Sequence, residues 1–217
     1  MQIDIVSDTV CPWCYIGKRK LEAALAQRPD LKPDIHWRAF QLNPDMPAEG
    51  MDRATYLAAK FGGAEAAGKV YGQIEAAARR AGLDLDFAGI PRSPNTIDSH
   101  RLIHWSHSTG LQNEVSEALF RAYFIENRDI GSAEVLTEVA AGAGMDAALV
   151  RDLLAGDSDR DRIREEDASA RQMGINGVPF FIFNRQYAVS GAQDPEVFLQ
   201  VFERIEQDRK NPPAAAD

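Results

Sequence analysis

The chain has 217 residues, 45% of them hydrophobic, which is enough to bury a sizeable core as one enlarged domain or two closely packed ones. Its formal net charge of -9 leaves no basic footprint for a phosphate backbone or an anionic membrane surface, so neither nucleic acid nor a membrane is an expected partner. No stretch approaches the ~20 consecutive apolar residues that cross a bilayer.

In chain order, the β-branched run Ile3-Asp4-Ile5-Val6 predicts a buried strand, broken by Ser7, Asp8 and Thr9. These first residues carry acids and lack the basic start and long apolar stretch of a secretion signal, so a cytoplasmic product is expected. After Cys11-Pro12-Trp13-Cys14, the spacing of Tyr15, Ile16, Leu21 and Leu25 predicts a helix that ends near Arg28-Pro29. A second strand is expected from Asp34 to Leu42, and strand, helix and strand together suggest a βαβ unit with a parallel sheet.

Between Met51 and Gly156 the pattern holds no convincing strand. It predicts helices near Asp52–Phe61, Ala64–Ala81, Thr96–Ser108, Gln112–Asn127, Ala133–Ala143 and Ala147–Leu154. A charged helix from Ser158 to Met173 follows, then strands at Phe180-Phe181-Ile182-Phe183 and Tyr187-Ala188-Val189-Ser190, and a last amphipathic helix opened by Pro195. The expected organisation is α/β: a discontinuous domain of residues 1–43 and 157–210, an inserted helical subdomain of residues 44–156, and a disordered tail of residues 211–217.

The two cysteines of the chain are Cys11 and Cys14. A pair three residues apart in an otherwise cysteine-free chain points to chemistry rather than to a braced scaffold. A sulfur at the start of a helix meets unpaired backbone N–H groups and the positive end of the dipole, which stabilise a thiolate over a thiol. Cys14, one turn on, is placed to resolve a mixed disulfide on Cys11. Pro12 suits the first helical turn, and Trp13 offers aromatic surface to a partner. Two bland readings stand beside this one: inert buried thiols, or half a zinc site completed from His36, His100, His104 and His107. Val178-Pro179 is by itself compatible with an ordinary edge-strand start.

The dithiol after the first strand, the long helical insertion and Gly177-Val178-Pro179 before an apolar strand resemble the DsbA-like branch of the thioredoxin superfamily. Asp8-Thr9-Val10-Cys11-Pro12-Trp13-Cys14, Pro94-Asn95-Thr96 with Ser99-His100-Arg101, and Gly174-Ile175-Asn176-Gly177-Val178-Pro179 look like its FrnE-type members. The resemblance implies a thioredoxin-like fold with a large helical insertion, a cis Pro179 facing the dithiol, and substrate contact at Val178 and Pro179. It also implies thiol–disulfide exchange on protein or peptide substrates, with no bound cofactor and no metal. Glutathione as a redox co-substrate, or a thioredoxin-type reductant, is the expected partner. The alternative is glutathione-dependent isomerisation or transfer of the 2-hydroxychromene-2-carboxylate isomerase or kappa-class type, whose members carry serine where Cys11 stands.

The remaining candidates are open. Asp8 is a proton relay, a helix cap or a turn residue. His100 and Arg101 line the dithiol cleft or lie on a solvated helix face. His36 reads as a strand-surface residue, and Trp37 and Trp105 as core.

Overall fold

The computed structural model describes residues 1–210, apart from the side chain of Ala64; the tail expected at residues 211–217 lies outside the described residues. The first strand, β1 (Gln2–Ser7), leads into helix α1 (Pro12–Ala26) and strand β2 (Asp34–Ala39). Residues Arg53–Phe61, Ala64–Arg80, Ile97–Ser106, Gln112–Phe124, Ala133–Gly142, Ala147–Ala155 and Arg160–Gln172 form helices α2 to α8 in that order. Two short strands, β3 (Met51–Asp52) and β4 (Arg92–Ser93), bracket α2 and α3, and the chain closes with β5 (Phe180–Phe183), β6 (Tyr187–Ser190) and α9 (Pro195–Lys210).

The main sheet has the order β2-β1-β5-β6, with β1 parallel to β2 and antiparallel to β5, and β5 antiparallel to β6. Side-chain alternation sorts it into two faces. Ile3, Ile5, Trp37, Phe181, Phe183 and Val189 join the main core on one face, where Phe198 and Phe202 of α9 pack edge-on against Phe181 and Phe183. Val6 on the other face joins Phe40, Ala170 and Ile175 in a smaller cluster beneath α8.

Strand β2 is an edge, and an edge invites unwanted pairing unless it is covered. Here its outward N–H groups are taken by side chains. Trp37 N–H donates to Gln112 Oε1, Ala39 N–H to Glu166 Oε2, and Gln41 N–H, just beyond the strand, to Asp167 Oδ1. Helices α5 and α8 thereby close the sheet from the side.

Two local corrections to the sequence reading follow. Strand β2 ends at Ala39 rather than Leu42, because from Gln41 onward the backbone bonds to Asp167 and Asp8 instead of to β1. The middle of the chain does contain strand: β3 and β4 pair antiparallel, Met51 with Ser93 and Asp52 with Arg92. Two-residue strands carry too little alternation to register as a pattern. The core is continuous across the expected domain boundary, since Ile3, Leu21, Leu119, Leu136, Phe181 and Phe198 belong to one buried cluster.

Candidate functional site: a dithiol at a helix N-terminus

Cys11 is the N-cap of α1, with φ -92° and ψ 111°, and Pro12 opens the helix, where a missing N–H costs no hydrogen bond. No side chain makes a cap hydrogen bond at this end, and the positive end of the helix dipole lies at Cys11. Cys11 N–H donates to Asp8 O and Cys14 N–H to Cys11 O, each at 3.0 Å, so the turn holds both sulfurs on one side. Both thiols are free and buried, at 3% and 1% exposure. They are not equivalent: Cys11 lines an open cleft of about 230 Å³, and Cys14 does not.

Burial pushes the Cys14 thiol well up, and the hydrogen bond and charge of Cys11 push it further; the Ser7 hydroxyl and the Asp8 backbone pull the other way. The Val178–Pro179 peptide is cis, and the Cys11 S–H donates to Val178 O at 3.6 Å. Pro12, Trp13 and Val178 line the cleft with Cys11, and Trp13 is 39% exposed. Pro179 is buried behind them, its ring against Gly17 of α1.

The loop that carries Cys11 is pinned by the segment expected to line the cleft. Asp8 is buried; its Oδ2 accepts from Leu42 N–H at 2.7 Å and its Oδ1 lies 3.4 Å from His100 Nε2. His100 Nε2 is also 3.1 Å from Phe40 O, and a carbonyl there requires that this nitrogen carry the proton. Thr9 and Ser99 share a hydroxyl hydrogen bond of 2.7 Å.

Neither His100 nor Arg101 lines the dithiol cleft, and neither lies on a solvated face. Arg101 is fully buried and points away from the sulfurs. Its guanidinium donates to Asp98 Oδ1 and to the carbonyls of Leu153, Gly156 and Ser158, tying α4 to the α7–α8 connection, with Trp105 stacked on it at 4.8 Å. A fork of donors answers a cluster of helix-end carbonyls, which accounts for an arginine inside the protein.

Trp37 is buried in the core, and Trp105 is half-buried, donating to Asp159. His36 pairs with Asp34, half-exposed, and lies beside the His107 ring. His104 faces Glu166 at 3.8 Å, while His100 faces Asp8. Among the described residues no group of three or more His, Cys, Asp or Glu side chains is gathered as metal ligands would be.

The far wall of the cleft escaped the sequence reading. Arg53, Tyr56 and Lys60 of α2, Tyr71 of α3, Ser93 and Tyr123 close it opposite the sulfur. A usable signal was present, since Arg53, Tyr56 and Lys60 stand at i, i+3 and i+7 on one helix. A larger cavity of about 500 Å³ lies over the second face of the sheet beside α8, with neither cysteine in its lining.

Comparison with known proteins agrees with this architecture. The family model described as a DSBA-like thioredoxin domain matches residues 2–203. A protein of Streptomyces coelicolor described as a probable DsbA oxidoreductase is 36% identical, with a TM-score of 0.86 over 96% of this chain and 91% of that one. The cytosolic disulfide reductase DsbM of Pseudomonas aeruginosa, solved with glutathione, is 19% identical, with a TM-score of 0.68 over 95% of this chain and 100% of that one. A 2-hydroxychromene-2-carboxylate isomerase is 18% identical, with a TM-score of 0.69 over the whole of both chains. The last two share the fold with different chemistries, so the fold alone does not choose between them.

Proposed function

Because the chain belongs to the DsbA-like thioredoxin-domain family of thiol oxidoreductases, we propose that it catalyses thiol–disulfide exchange on protein or peptide substrates through Cys11 and Cys14. The observation that carries this reading is the asymmetry of the sulfurs: Cys11 faces the cleft from a helix N-terminus and Cys14 is buried behind it.

In the reducing direction, Cys11 sulfur attacks one sulfur of a substrate disulfide. A Cys11–substrate bond forms, the substrate S–S bond breaks, and the departing thiolate takes a proton. Cys14 then gives up its proton and attacks Cys11. The Cys11–Cys14 disulfide forms, the second substrate thiol leaves, and the substrate has gained the two electrons that the dithiol lost. The surroundings order these steps. Free Cys11 helps to keep Cys14 protonated, and that contribution ends once Cys11 is tied up in the mixed disulfide. Val178, whose carbonyl already faces Cys11, is the backbone position at which an extended substrate segment would dock, with Pro179 behind it.

A reductase or isomerase role in the cytoplasm fits best, with glutathione or a thioredoxin-type protein returning the dithiol to its reduced form and no bound cofactor. The cytosolic reductase DsbM, related in fold, supports this lean, as do the FrnE-like motif segments. Among the described residues no helix is long and apolar enough to cross a membrane. Glutathione-dependent isomerisation is the second reading, favoured by the fold shared with the isomerase; it predicts turnover that survives Cys14→Ser.

Equilibration against glutathione buffers with mass detection, followed by insulin-reduction and scrambled-disulfide assays, tests the proposal. Cys11→Ala should abolish exchange and Cys14→Ala should trap mixed disulfides. Full exchange by Cys11→Ala would reject the nucleophile.

A further inference from the structure

In a chain of net charge -9, the cleft beside Cys11 is lined by two cations, Arg53 and Lys60, and among the described residues by no acidic side chain. Both cations are held in place. Arg53 donates from Nη1 to Ser93 Oγ at 3.1 Å and from Nη2 to Tyr71 OH at 2.6 Å, and its guanidinium lies over the rings of Tyr56 and Tyr71 at 5.5 and 5.3 Å. Its Nε is buried and has no hydrogen-bond partner among the described residues. Lys60 Nζ donates to Tyr56 OH at 2.6 Å, and Tyr56 OH donates in turn to Asn43 Oδ1.

Hydroxyls and aromatic faces orient a cation without neutralising it. Charges of one sign between low-dielectric walls concentrate the field in a cleft and raise the local concentration of the opposite ion. Fixed cations, a spare buried donor and no counter-ion beside a nucleophilic sulfur describe a receptor for an anion that arrives with the substrate.

We propose that Arg53 and Lys60 form a carboxylate-reading subsite, so that the preferred disulfide, in a peptide or a small molecule, carries an acid group a few bonds from its sulfur. The part that enters is small: the cleft's volume of about 230 Å³ takes a side-chain-sized group rather than a folded surface. The inference rests on the exchange reading above. In the step it governs, the carboxylate meets Arg53 and Lys60 while Cys11 displaces one sulfur of the R–S–S–R substrate; resolution by Cys14 then releases the second RSH and leaves the enzyme disulfide, so that two RSH are formed per dithiol oxidised.

Three disulfides with two methylenes between sulfur and the polar group, and different charge, provide the test: 3,3′-dithiodipropionate (anionic), 2-hydroxyethyl disulfide (neutral) and cystamine (cationic). Rates with the reduced enzyme are divided by the rates of free dithiothreitol with the same compounds, which removes their intrinsic reactivity. The anionic compound should be favoured over the cationic one on the order of tenfold. That preference should shrink with added salt, and it should be lost or reversed in Lys60→Glu. Arg53→Gln should weaken it as well. Arg53 also ties α2 to Ser93 and Tyr71, so the exposed Lys60 gives the cleaner variant where Arg53→Gln folds poorly. Exchange that is blind to charge, or a preference that Lys60→Glu leaves intact, overturns the subsite and spares the exchange reading. Exchange with none of the three while insulin is still reduced overturns the subsite and spares the exchange reading; exchange with neither overturns both.

Discussion

Gly17 gives the ring of Pro179 its seat against α1: a β-carbon on Gly17 would stand 2.9 Å from Pro179 Cγ and 3.1 Å from Phe181 Cζ. The contact joins the helix that carries both sulfurs to the segment whose Val178 carbonyl faces Cys11. Gly17→Ala would gain about 1 kcal/mol of helix propensity and lose about 1–3 kcal/mol to overpacking, because a proline ring cannot swing aside. Net destabilisation in denaturant titrations, together with slower attack on small disulfides, is expected. A variant that is more stable and reacts at the wild-type rate would show that the ring has room to move.

Cys14 sets a pH dependence on resolution. Its thiol is held above the ordinary value of ~8.5, so it must lose a proton before it can attack, and release from a mixed disulfide should accelerate as pH rises. Stability runs the opposite way. Above the ordinary thiol value the unfolded chain gives up this proton while the folded chain keeps it, so folding becomes less favourable as pH rises from about 8.5 towards 10. Burial likewise holds the phenols of Tyr15 and Tyr123 up, which extends the loss to higher pH. Melting curves of the reduced protein should show a steeper alkaline decline than those of Cys14→Ala between pH 8.5 and 10; parallel curves would contradict the assignment.

Ser7 is the side chain that opposes the burial of Cys14, through its hydroxyl, alongside the Asp8 backbone. Ser7→Ala removes one hydrogen bond to the developing thiolate, a loss of about 0.5–1.5 kcal/mol. Stopped-flow measurement of mixed-disulfide resolution should show a slowing of about two- to tenfold, with the attack by Cys11 nearly unchanged. An equal effect on both steps would mean that the substitution disturbs the turn as a whole.

Arg101 and His100 should behave as supports. Arg101→Leu takes the guanidinium from the carbonyls of Gly156 and Ser158, leaves Leu153 O only Gly156 N–H and leaves Asp98 only Arg160, at a cost of about 3–5 kcal/mol, yet the protein that remains folded should exchange at the wild-type rate. His100→Leu leaves Asp8 and Phe40 O without their neighbour. It should cost about 1–3 kcal/mol and slow exchange, because the Asp8 loop leads directly to Cys11. Urea titrations paired with assays on the folded fraction separate the two. A fall in the rate per folded molecule of Arg101→Leu would return that residue to the site.

Most of the fold could be read from local patterns. The run Ile3 to Val6 and the strand Phe180 to Phe183 announce themselves as short continuous apolar runs because the sheet is packed on both faces, and the amphipathic helices because burial of one face at a fixed period leaves a periodic trace. The pair β3 and β4 left none, being two residues each.

The sequence by itself determined which two sulfurs are the candidates for reaction. A cysteine at a helix start with a second one turn on is a relationship within one short stretch of backbone, and local geometry suffices to define it. Only the tertiary structure decided which distant side chains stand around those sulfurs. It turned Arg101 towards the carbonyls of Leu153, Gly156 and Ser158, set His100 against Asp8, and brought Arg53 and Lys60 across the cleft from Cys11. The direction of a long side chain depends on which partners the fold places within its reach, and residues so far apart in the chain leave no record of that in their spacing.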